Sequence, residues 1–392
     1  MAPTRTRDPH FVLLCFGFVI CGIVTVLPGP LLPVLAARWG LRDVQSGAFF
    51  AAEFAASTLA AIMAPRRMRW SLPRGYALLT VGVLLLLVAG RALSPSLGHD
   101  LALGSFTLIG FGIGLSVTAT NLLVGSAPTE NRARRLSVVN LWWGIGAVAC
   151  PWMVAVAERS ANLPILLALV AGGAVAMFVL FLPLREEPGA ASVTTFSLAR
   201  DGMVLLYFAV LLFLYVGVEN AVGGWVATYT YRFSGLTLAW SSMMVSVYWL
   251  ALLAGRGLGS LALRWVPERA VLVPSLAVSL TAVTMLLAPH TTDTVVAAVT
   301  VAGLGFGPVF PIGVSRMLAR LSDHRNTGWV FATCAGGGAV VPWLTGLFST
   351  STGSLRVGFG VPAAALGVIL LLALVEDLLL GETPVQQPDL RL

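Results

Sequence analysis

Twelve long apolar runs dominate this sequence and constrain its fold more than any other feature. A helix needs about 20 apolar residues to cross a hydrocarbon core about 30 Å thick, and only structures that bond all their backbone groups internally can do so. Charged residues make up 10% of the chain, against about 25% in soluble domains. The pattern predicts an all-α membrane protein with twelve transmembrane helices. These spans cover roughly 11–35, 44–64, 75–93, 101–126, 136–157, 163–184, 203–231, 238–262, 268–288, 293–317, 327–349 and 358–380.

The placement of arginine predicts how these spans are oriented. Lys is absent, and Arg supplies all 24 basic residues. If the N-terminus lies inside, most Arg residues fall on inner loops and tails, the side that basic residues favour in membrane proteins. We therefore expect a multi-pass protein of the plasma (inner) membrane with both termini in the cytoplasm. The Arg residues are spread over short loops, so the net charge of +7 does not indicate a nucleic-acid partner.

Three short motifs recur in the second part of the chain, at offsets of 193, 191 and 195 residues. A nearly constant offset indicates duplication of a six-span unit. We predict two pseudo-symmetric halves: an N-terminal six-helix bundle over 1–184, a polar cytoplasmic linker over 185–201, and a C-terminal six-helix bundle over 202–392. The motif pairs are GFGIG at 110–114 with GLGFG at 303–307, Cys150-Pro151-Trp152 with Val341-Pro342-Trp343, and Arg69-Trp70 with Arg264-Trp265.

The spans also differ in composition with a period of three. Spans three, six, nine and twelve are apolar along their whole length, which favours a position against lipid. Spans one, four, seven and ten are interrupted by Pro or Gly, which is tolerated where protein or water satisfies the freed backbone groups. This period is typical of three-helix repeats nested within six-helix halves, and it predicts a central cavity lined by spans one, four, seven and ten.

Span seven carries the most unusual residues for mid-membrane, in LYVGVENAVGGWVATYTYRF at 214–233. On a helix, Tyr215, Glu219 and Tyr229 fall within about 80° of one another, with Trp225 on their flank. A carboxyl group in mid-membrane is costly to bury, so this face is expected to meet other protein or a water-filled cavity.

Glu53 in span two is the second acid expected near mid-depth. Burial favours the neutral form of a carboxyl group, and entry of water favours the ionised form. Glu219 and Glu53 are therefore candidates for carrying a proton through a cycle of alternating access. The alternative is that each Glu only hydrogen-bonds a neighbouring helix.

Amide and aromatic side chains elsewhere in the spans are candidates for holding a polar solute. Amides supply hydrogen bonds, and aromatic rings stack on the C–H face of a sugar. The alternative is that the Asn side chains link helices and the rings pack in the core. Asn220 lies about 100° from Glu219 on its helix, toward a different neighbour. The predicted substrate-binding residues are Asn121, Asn140, Trp143, Tyr215, Asn220, Trp225, Tyr229 and Trp249.

Arg groups at the predicted inner ends of the spans are primarily topology signals. A second hypothesis is that they close the inner gate by pairing with Glu130 or with carbonyls at helix ends. The predicted gating residues are Arg66, Arg67, Arg132 and Arg135, with Arg256 as their counterpart in the second half.

Sequence motifs for metals, cofactors and catalysis are missing. Cys15, Cys21, Cys150 and Cys334 fall in apolar spans without metal-ligand spacing, and the four His residues lie in loops or at span ends. The GFGIG and GLGFG runs lie inside apolar spans, so close helix packing explains them better than nucleotide binding. We expect no metal, no cofactor and no enzymatic activity.

With these features the chain resembles the major facilitator superfamily over nearly its whole length. Three stretches further resemble the fucose–proton symporter type of sugar permease: Gln45-Ser46-Gly47, GFGIGLSVTATN followed by NLWWGIGAVACPW, and LYVGVENAVGGWVATY. The resemblance implies a small, polar, sugar-like substrate imported with protons, and a monomer surrounded by lipid.

Several residues depart from that type of symporter. Its members carry acids on spans one and four, where GIVTVLPGPLLP and GFGIGLSVTATN have none. The loop after span two reads APRRMRW, without the Asp of the superfamily signature. The alternative function is proton-driven export of hydrophobic drug-like or natural-product molecules, which the abundant Trp and Phe favour. Against export, span four has no Arg, and Cys150 precedes Pro151 where such exporters have Gly.

Overall fold

The computed structural model describes residues 9–64, 68–126, 132–183, 201–288, 291–321 and 327–381. Helices and the short turns between them make up this part of the chain, and no strand occurs in it. Twelve helical stretches are long and apolar enough to cross a membrane, which confirms the predicted fold class. Spans one, ten and twelve contain two helices each. The helices are α1 Pro9–Val26, α2 Pro28–Trp39, α3 Asp43–Met63, α4 Met68–Ala89, α5 Pro95–Ser126, α6 Arg132–Arg159, α7 Leu163–Phe181, α8 Gly202–Phe233, α9 Leu238–Ala262, α10 Glu268–Met285, α11 Thr292–Phe306, α12 Val309–Arg320, α13 Thr327–Thr352, α14 Leu355–Gly358 and α15 Gly360–Leu380.

Spans one and ten are each divided at a proline. α1 ends at Val26 before Pro28 opens α2, and α11 ends at Phe306 before Gly307 and Pro308. Proline removes a backbone donor and clashes with the preceding turn, which explains both breaks. The breaks expected at the glycines of spans four and seven do not occur, because α5 and α8 are continuous helices of 32 residues each. A glycine costs a helix only about 1 kcal/mol relative to alanine, which close packing offsets.

The glycines of GFGIG allow neighbouring helices to approach closely. A Cβ on Gly110 would lie 2.1 Å from the backbone oxygen of Glu53 on α3, and one on Gly112 would lie 2.7 Å from the backbone of α4. The GLGFG run of α11 repeats this arrangement, with Gly303 against α9 and Gly305 against α10. The recurring motifs therefore occupy matching positions in the two parts of the chain.

The helices form two sets, α1–α7 and α8–α15, that meet along the centre of the molecule. Between the sets, α3 packs against α13, α6 against α9, and α2 against α8. The helices α4, α7, α10 and α15, from the apolar spans, pack mainly within their own set, in agreement with the peripheral position predicted for them. The predicted linker lies outside the described residues except for Asp201, so the exact division into two bundles stays a prediction.

Candidate functional site

An ion pair lies deep in the second set of helices, at the acid that the sequence marks in span seven. The carboxylate Oε1 of Glu219 on α8 accepts a hydrogen bond of 3.2 Å from Nη2 of Arg256 on α9. Helical side chains tilt toward the N-terminus of their helix, so Arg256 extends back toward the middle of its span. The Glu219 side chain is 8% exposed and the Arg256 side chain 35% exposed, which means that the pair is reached from the Arg256 side.

Two buried tyrosines complete this arrangement. The Tyr215 hydroxyl donates to the backbone oxygen of Phe306 at 2.8 Å and also interacts with Glu219 and Arg256. The Tyr248 hydroxyl donates to the backbone oxygen of Glu219 at 2.8 Å. We refer to Tyr215, Glu219, Tyr248 and Arg256 as the Glu219 cluster. It joins α8, α9 and α11 and holds the carboxylate in one position.

A small cavity lies at the interface of the two sets, and Asn220, the neighbour of Glu219 in the sequence, is part of its wall. Its volume is about 10 Å³, roughly the room that one water needs. The Nδ2 of Asn220 donates to the backbone oxygen of Val216 at 2.8 Å. Trp249 also lines the cavity, and its indole N–H is buried without a hydrogen-bond partner among the described residues. The lining comprises Thr25, Val26, Gly29, Phe50, Phe54, Asn220, Gly223, Gly224 and Trp249.

The remaining amide and aromatic candidates of the first set have different surroundings. Trp143 on α6 meets Trp249 edge to face, with ring centroids 5.7 Å apart, so these two predicted residues are brought together. Asn121 on α5 is half-buried. Asn140 is exposed, and its amide donates to the backbone oxygen of Leu136 at 2.8 Å.

Trp225 and Tyr229 lie in the protein core instead of the cavity wall. Trp225 is fully buried, and its Nε1 donates to the backbone oxygen of Pro342 at 2.9 Å. The Tyr229 hydroxyl donates to the backbone oxygen of Leu286 at 2.6 Å, and its ring packs on Phe359. Their polar atoms are engaged by backbone carbonyls of their own set, so packing accounts for both side chains.

Glu53 lies in different surroundings from Glu219. Its side chain is buried on α3, with 1% of the residue exposed. Neither carboxyl oxygen has a hydrogen-bond partner among the described residues. Its neighbours Phe50 and Phe54 line the central cavity from the same helix.

The gating role predicted for the arginines stays a prediction. Arg66 and Arg67 lie outside the described residues, and only the backbone of Arg132 is described. The Arg135 guanidinium lies 4.4 Å from the ring centroid of Phe11, within the first set of helices. Arg256 belongs to the Glu219 cluster, so its observed contact is with a mid-membrane acid.

An ion pair that joins the two sets occurs instead at the end of the molecule where α3 begins and α8 ends. Asp43 receives two hydrogen bonds from Arg232, at 2.6 and 2.7 Å, and a third from the Ser349 hydroxyl. Next to it, the Val44 N–H donates to the Thr350 hydroxyl at 2.8 Å. We refer to these five residues as the Asp43 latch. The sequence analysis missed it, because nothing near Arg232, in the last turn of α8, indicates a partner on α3.

Close contacts between the sets run from the Asp43 latch to mid-depth. Near the latch, a Cβ on Gly47 of α3 would lie 3.1 Å from the backbone of Trp343 on α13. Near mid-depth, a Cβ on Gly338 of α13 would lie 2.6 Å from the Phe54 ring. The Ser246 hydroxyl of α9 donates to the backbone oxygen of Val148 on α6 at 2.9 Å. The molecule is therefore closed at the Asp43 end, and Arg256 faces the opposite end.

A second charged group lies at that opposite end, and the sequence analysis missed it too. Glu376 on α15 accepts hydrogen bonds of 2.9 Å from the Nε atoms of Arg316 and Arg320 on α12. Asp377 pairs with Arg320 and with Arg269 of α10. Glu376 is 2% exposed in its side chain, so this cluster ties three helices of the second set together from within. In the described part of the chain, no group of three or more His, Cys, Asp or Glu is placed to hold a metal ion.

These features define a polytopic membrane transporter. The chain belongs to the Major Facilitator Superfamily, whose pattern it matches over residues 14–327. This confirms the resemblance drawn from the sequence.

The chain is similar to three known transporters. It is 25% identical to the glucose/galactose transporter of Brucella abortus over 374 residues, which cover 88% of each chain. Its fold is similar to that of the fucose:proton symporter FucP of E. coli, with a TM-score of 0.62, 18% identity, and coverage of 94% of this chain and 98% of that one. It is also similar to a D-xylose-proton symporter, with a TM-score of 0.74, 14% identity, and coverage of 96% and 98%.

Proposed function

We propose that this protein moves a small, polar, sugar-like solute across the membrane by alternating access, as a proton-coupled symporter. The observation that carries the proposal is the Glu219 cluster, an acid paired with a partly exposed arginine. The residues that follow Glu219 and Tyr248 in the sequence, Asn220 and Trp249, line the cavity at the interface of the two sets. The sugars named for the relatives support the same class of substrate.

The central region has the groups that a polyhydroxylated solute requires. Trp249 offers an unpartnered indole N–H, and Asn220 an amide, both on the cavity wall. The paired rings of Trp143 and Trp249 provide a stacking surface, while Arg256 supplies a charged donor. A pocket with a few convergent polar groups among aromatic rings is the common form of a small-molecule site. The cavity is too small for a sugar in this closed arrangement, so binding requires the sets to separate.

The proposal includes the location and orientation of the protein in the membrane. The arginine distribution favours cytoplasmic termini in the plasma (inner) membrane, which would put the Asp43 latch on the outer face and Arg256 toward the cytoplasm. The protein would then be closed outward and reached from inside. Protons are the proposed coupling ion, and their coupling depends on at least one of the mid-membrane acids Glu219 and Glu53. We also propose a monomer surrounded by lipid.

A ligand screen tests the proposal. Purified protein in detergent is heated in the presence of glucose, galactose, xylose, fucose or lipophilic drugs. A ligand that binds only the folded state at 100 times its Kd stabilises it by about 2.7 kcal/mol, which raises the apparent Tm. We expect one sugar to raise the Tm of the native protein and to lose this effect in Trp249→Ala and Glu219→Gln.

Trp265→Ala is the matched control, because that tryptophan is 73% exposed and far from the cavity. It should keep the full sugar-induced shift. If only lipophilic compounds raise the Tm, the sugar proposal is wrong and export of hydrophobic molecules becomes the leading function.

A further inference from the structure

Two carboxyl groups lie deep in the spans, and their surroundings are opposite. Glu219 faces the guanidinium of Arg256 at 3.2 Å and the hydroxyl of Tyr215. Glu53 is more deeply buried than Glu219, yet both of its oxygens lack a hydrogen-bond partner among the described residues. The difference matters because arginine is always charged, so it stabilises the ionised form of the acid beside it.

The described parts of the helices packed against Glu53 bring no charge to it. α5 approaches with Gly110, which has no side chain, so close that a Cβ there would lie 2.1 Å from the Glu53 backbone. α6 contributes the buried thiol of Cys150, the titratable group that lies within electrostatic range. Among the described residues, no side chain forms a hydrogen bond or an ion pair with the Glu53 carboxyl group. An ionised carboxylate is strongly disfavoured where it is buried without a hydrogen-bond or charged partner, so this geometry favours a neutral carboxyl group that holds a proton.

The route to Glu53 is closed by the contact between the two sets. Phe50, one turn away, packs toward the ring of Trp225 on α8, with centroids 6.3 Å apart. Phe54, the next residue, lies against Gly338 on α13. Separation of the sets at the Asp43 end would pull both rings away from their partners. Water would then reach the flank of Glu53, where it could accept or release a proton.

We propose that Glu53 is the group that binds the transported proton, whereas Glu219 stays ionised in its pair with Arg256 and serves the solute site. This division of roles rests on the proposed function of proton-coupled transport. It predicts that neutralising Glu53 and neutralising Glu219 impair transport in different ways.

Transport by reconstituted protein in liposomes separates the two roles. The solute is whichever of glucose, galactose, xylose or fucose raises the Tm most. We expect Glu53→Gln to retain exchange of labelled sugar between the two sides but to lose accumulation driven by a pH gradient. Glu219→Gln should lose both, together with the sugar-induced Tm shift. Glu158→Gln, at the end of α6 away from either acid, should behave as the native protein. Accumulation that survives in Glu53→Gln would overturn the proposal.

Infrared spectroscopy tests Glu53 without any solute. A neutral buried carboxyl group has a C=O stretching band that an ionised one lacks. We expect such a band in the native protein, its loss in Glu53→Gln, and its persistence in Glu219→Gln. Glu53→Asp keeps a carboxyl group and should keep a shifted band. This control shows that loss of the band in Glu53→Gln reflects the missing carboxyl group and not misfolding. A band that survives in Glu53→Gln contradicts the inference.

The two experiments also separate this inference from the proposed function. If the native protein exchanges no sugar, the proposed substrate is wrong, and the infrared band still decides whether Glu53 holds a proton. If the native protein accumulates sugar and Glu53→Gln does so equally, the substrate is right and the role of Glu53 is wrong.

Discussion

Glu376 illustrates how a single charged residue can be tolerated in the core of a membrane protein. It is almost fully buried at the end of α15, and each carboxylate oxygen accepts a hydrogen bond from a different arginine of α12. Its cost of burial is therefore offset by two charged partners, and three helices depend on the arrangement.

Removing this charge should destabilise the protein strongly. In Glu376→Gln, Arg316 and Arg320 keep their charges and their pairing with Asp377 but lose the anion between them, at a cost of about 1.5–3 kcal/mol. We expect a clearly lower Tm in detergent. The control is Glu268→Gln, because the Glu268 side chain is 34% exposed and such pairs contribute only about 0–1 kcal/mol. Equal Tm values for both variants would mean that the Glu376 cluster does not stabilise the fold.

The rarity of a residue type within the spans explains which site residues could be predicted from the sequence. Glu219 and Glu53 are conspicuous in the sequence because carboxyl groups are rare in apolar spans. The partners are not conspicuous: Arg256 is 37 positions from Glu219, and Arg232 is 189 positions from Asp43. Side-chain pairing of this kind depends on how separate helices are rotated and packed, which no local pattern contains.

At the scale of the helices, the glycine runs show how the sequence controls the distance between packed helices. Gly110 permits α5 to lie directly on α3, whereas Gly172 on α7 has nothing within 4 Å of where its Cβ would be. Adding a methyl group at two glycines in helix interiors can therefore change the stability of the protein in opposite directions.

Alanine substitution at Gly110 and Gly172 should distinguish the effect of helix packing on stability from the effect of helix propensity. Gly110→Ala forces a methyl group against the α3 backbone and is expected to cost about 1–3 kcal/mol. Gly172→Ala meets open space and should stabilise the helix by about 0.5–1 kcal/mol. Thermal unfolding of both variants checks the prediction, and a Gly110→Ala variant at least as stable as the native protein would show that α3 and α5 can move apart without cost.

Helical periodicity correctly grouped Tyr215, Glu219 and Tyr229 on one stripe of span seven, but it did not identify what that stripe meets. Along α8 the stripe passes from the Glu219 cluster to a core contact with Leu286 and Phe359. A helix of 32 residues crosses several neighbours, so one face has different surroundings at different depths. The breaks expected in spans four and seven are wrong for a related reason, since packing offsets the low helix propensity of glycine.

For the whole molecule, the Asp43 latch is the contact that holds the closed end together. The bidentate pair between Asp43 and Arg232 is reinforced by Ser349, and all three lie where α3 meets α8 and α13. Because the pair joins the two sets, its strength biases the equilibrium between arrangements of the molecule.

Loss of the latch should open the Asp43 end. Spin labels at Arg38→Cys on α2 and Ser351→Cys on α13, one on each set, report the separation; the four native cysteines are buried. We expect the longer-distance population to grow in Asp43→Asn. Asp293→Asn, an exposed acid at the start of α11, is the control and should leave the distribution unchanged. An unchanged distribution in Asp43→Asn would mean that apolar contacts between α3 and α13 close this end on their own.

The sequence by itself determined the class of molecule. Twelve apolar runs require helices across a membrane, because only internally bonded backbone is stable there. The repeated glycine motifs indicated which helices pack closely, and the scarcity of acids within the spans singled out Glu219 and Glu53.

The tertiary structure alone decided the surroundings of each of these residues. It paired Glu219 with Arg256, left Glu53 without a partner among the described residues, moved Trp225 and Tyr229 into the core, and closed the molecule at Asp43. The physical reason is that burial and hydrophobic pattern are properties of each helix along its own length. Ion pairs, hydrogen bonds between helices and the shape of a cavity arise only when distant helices are brought together in one orientation.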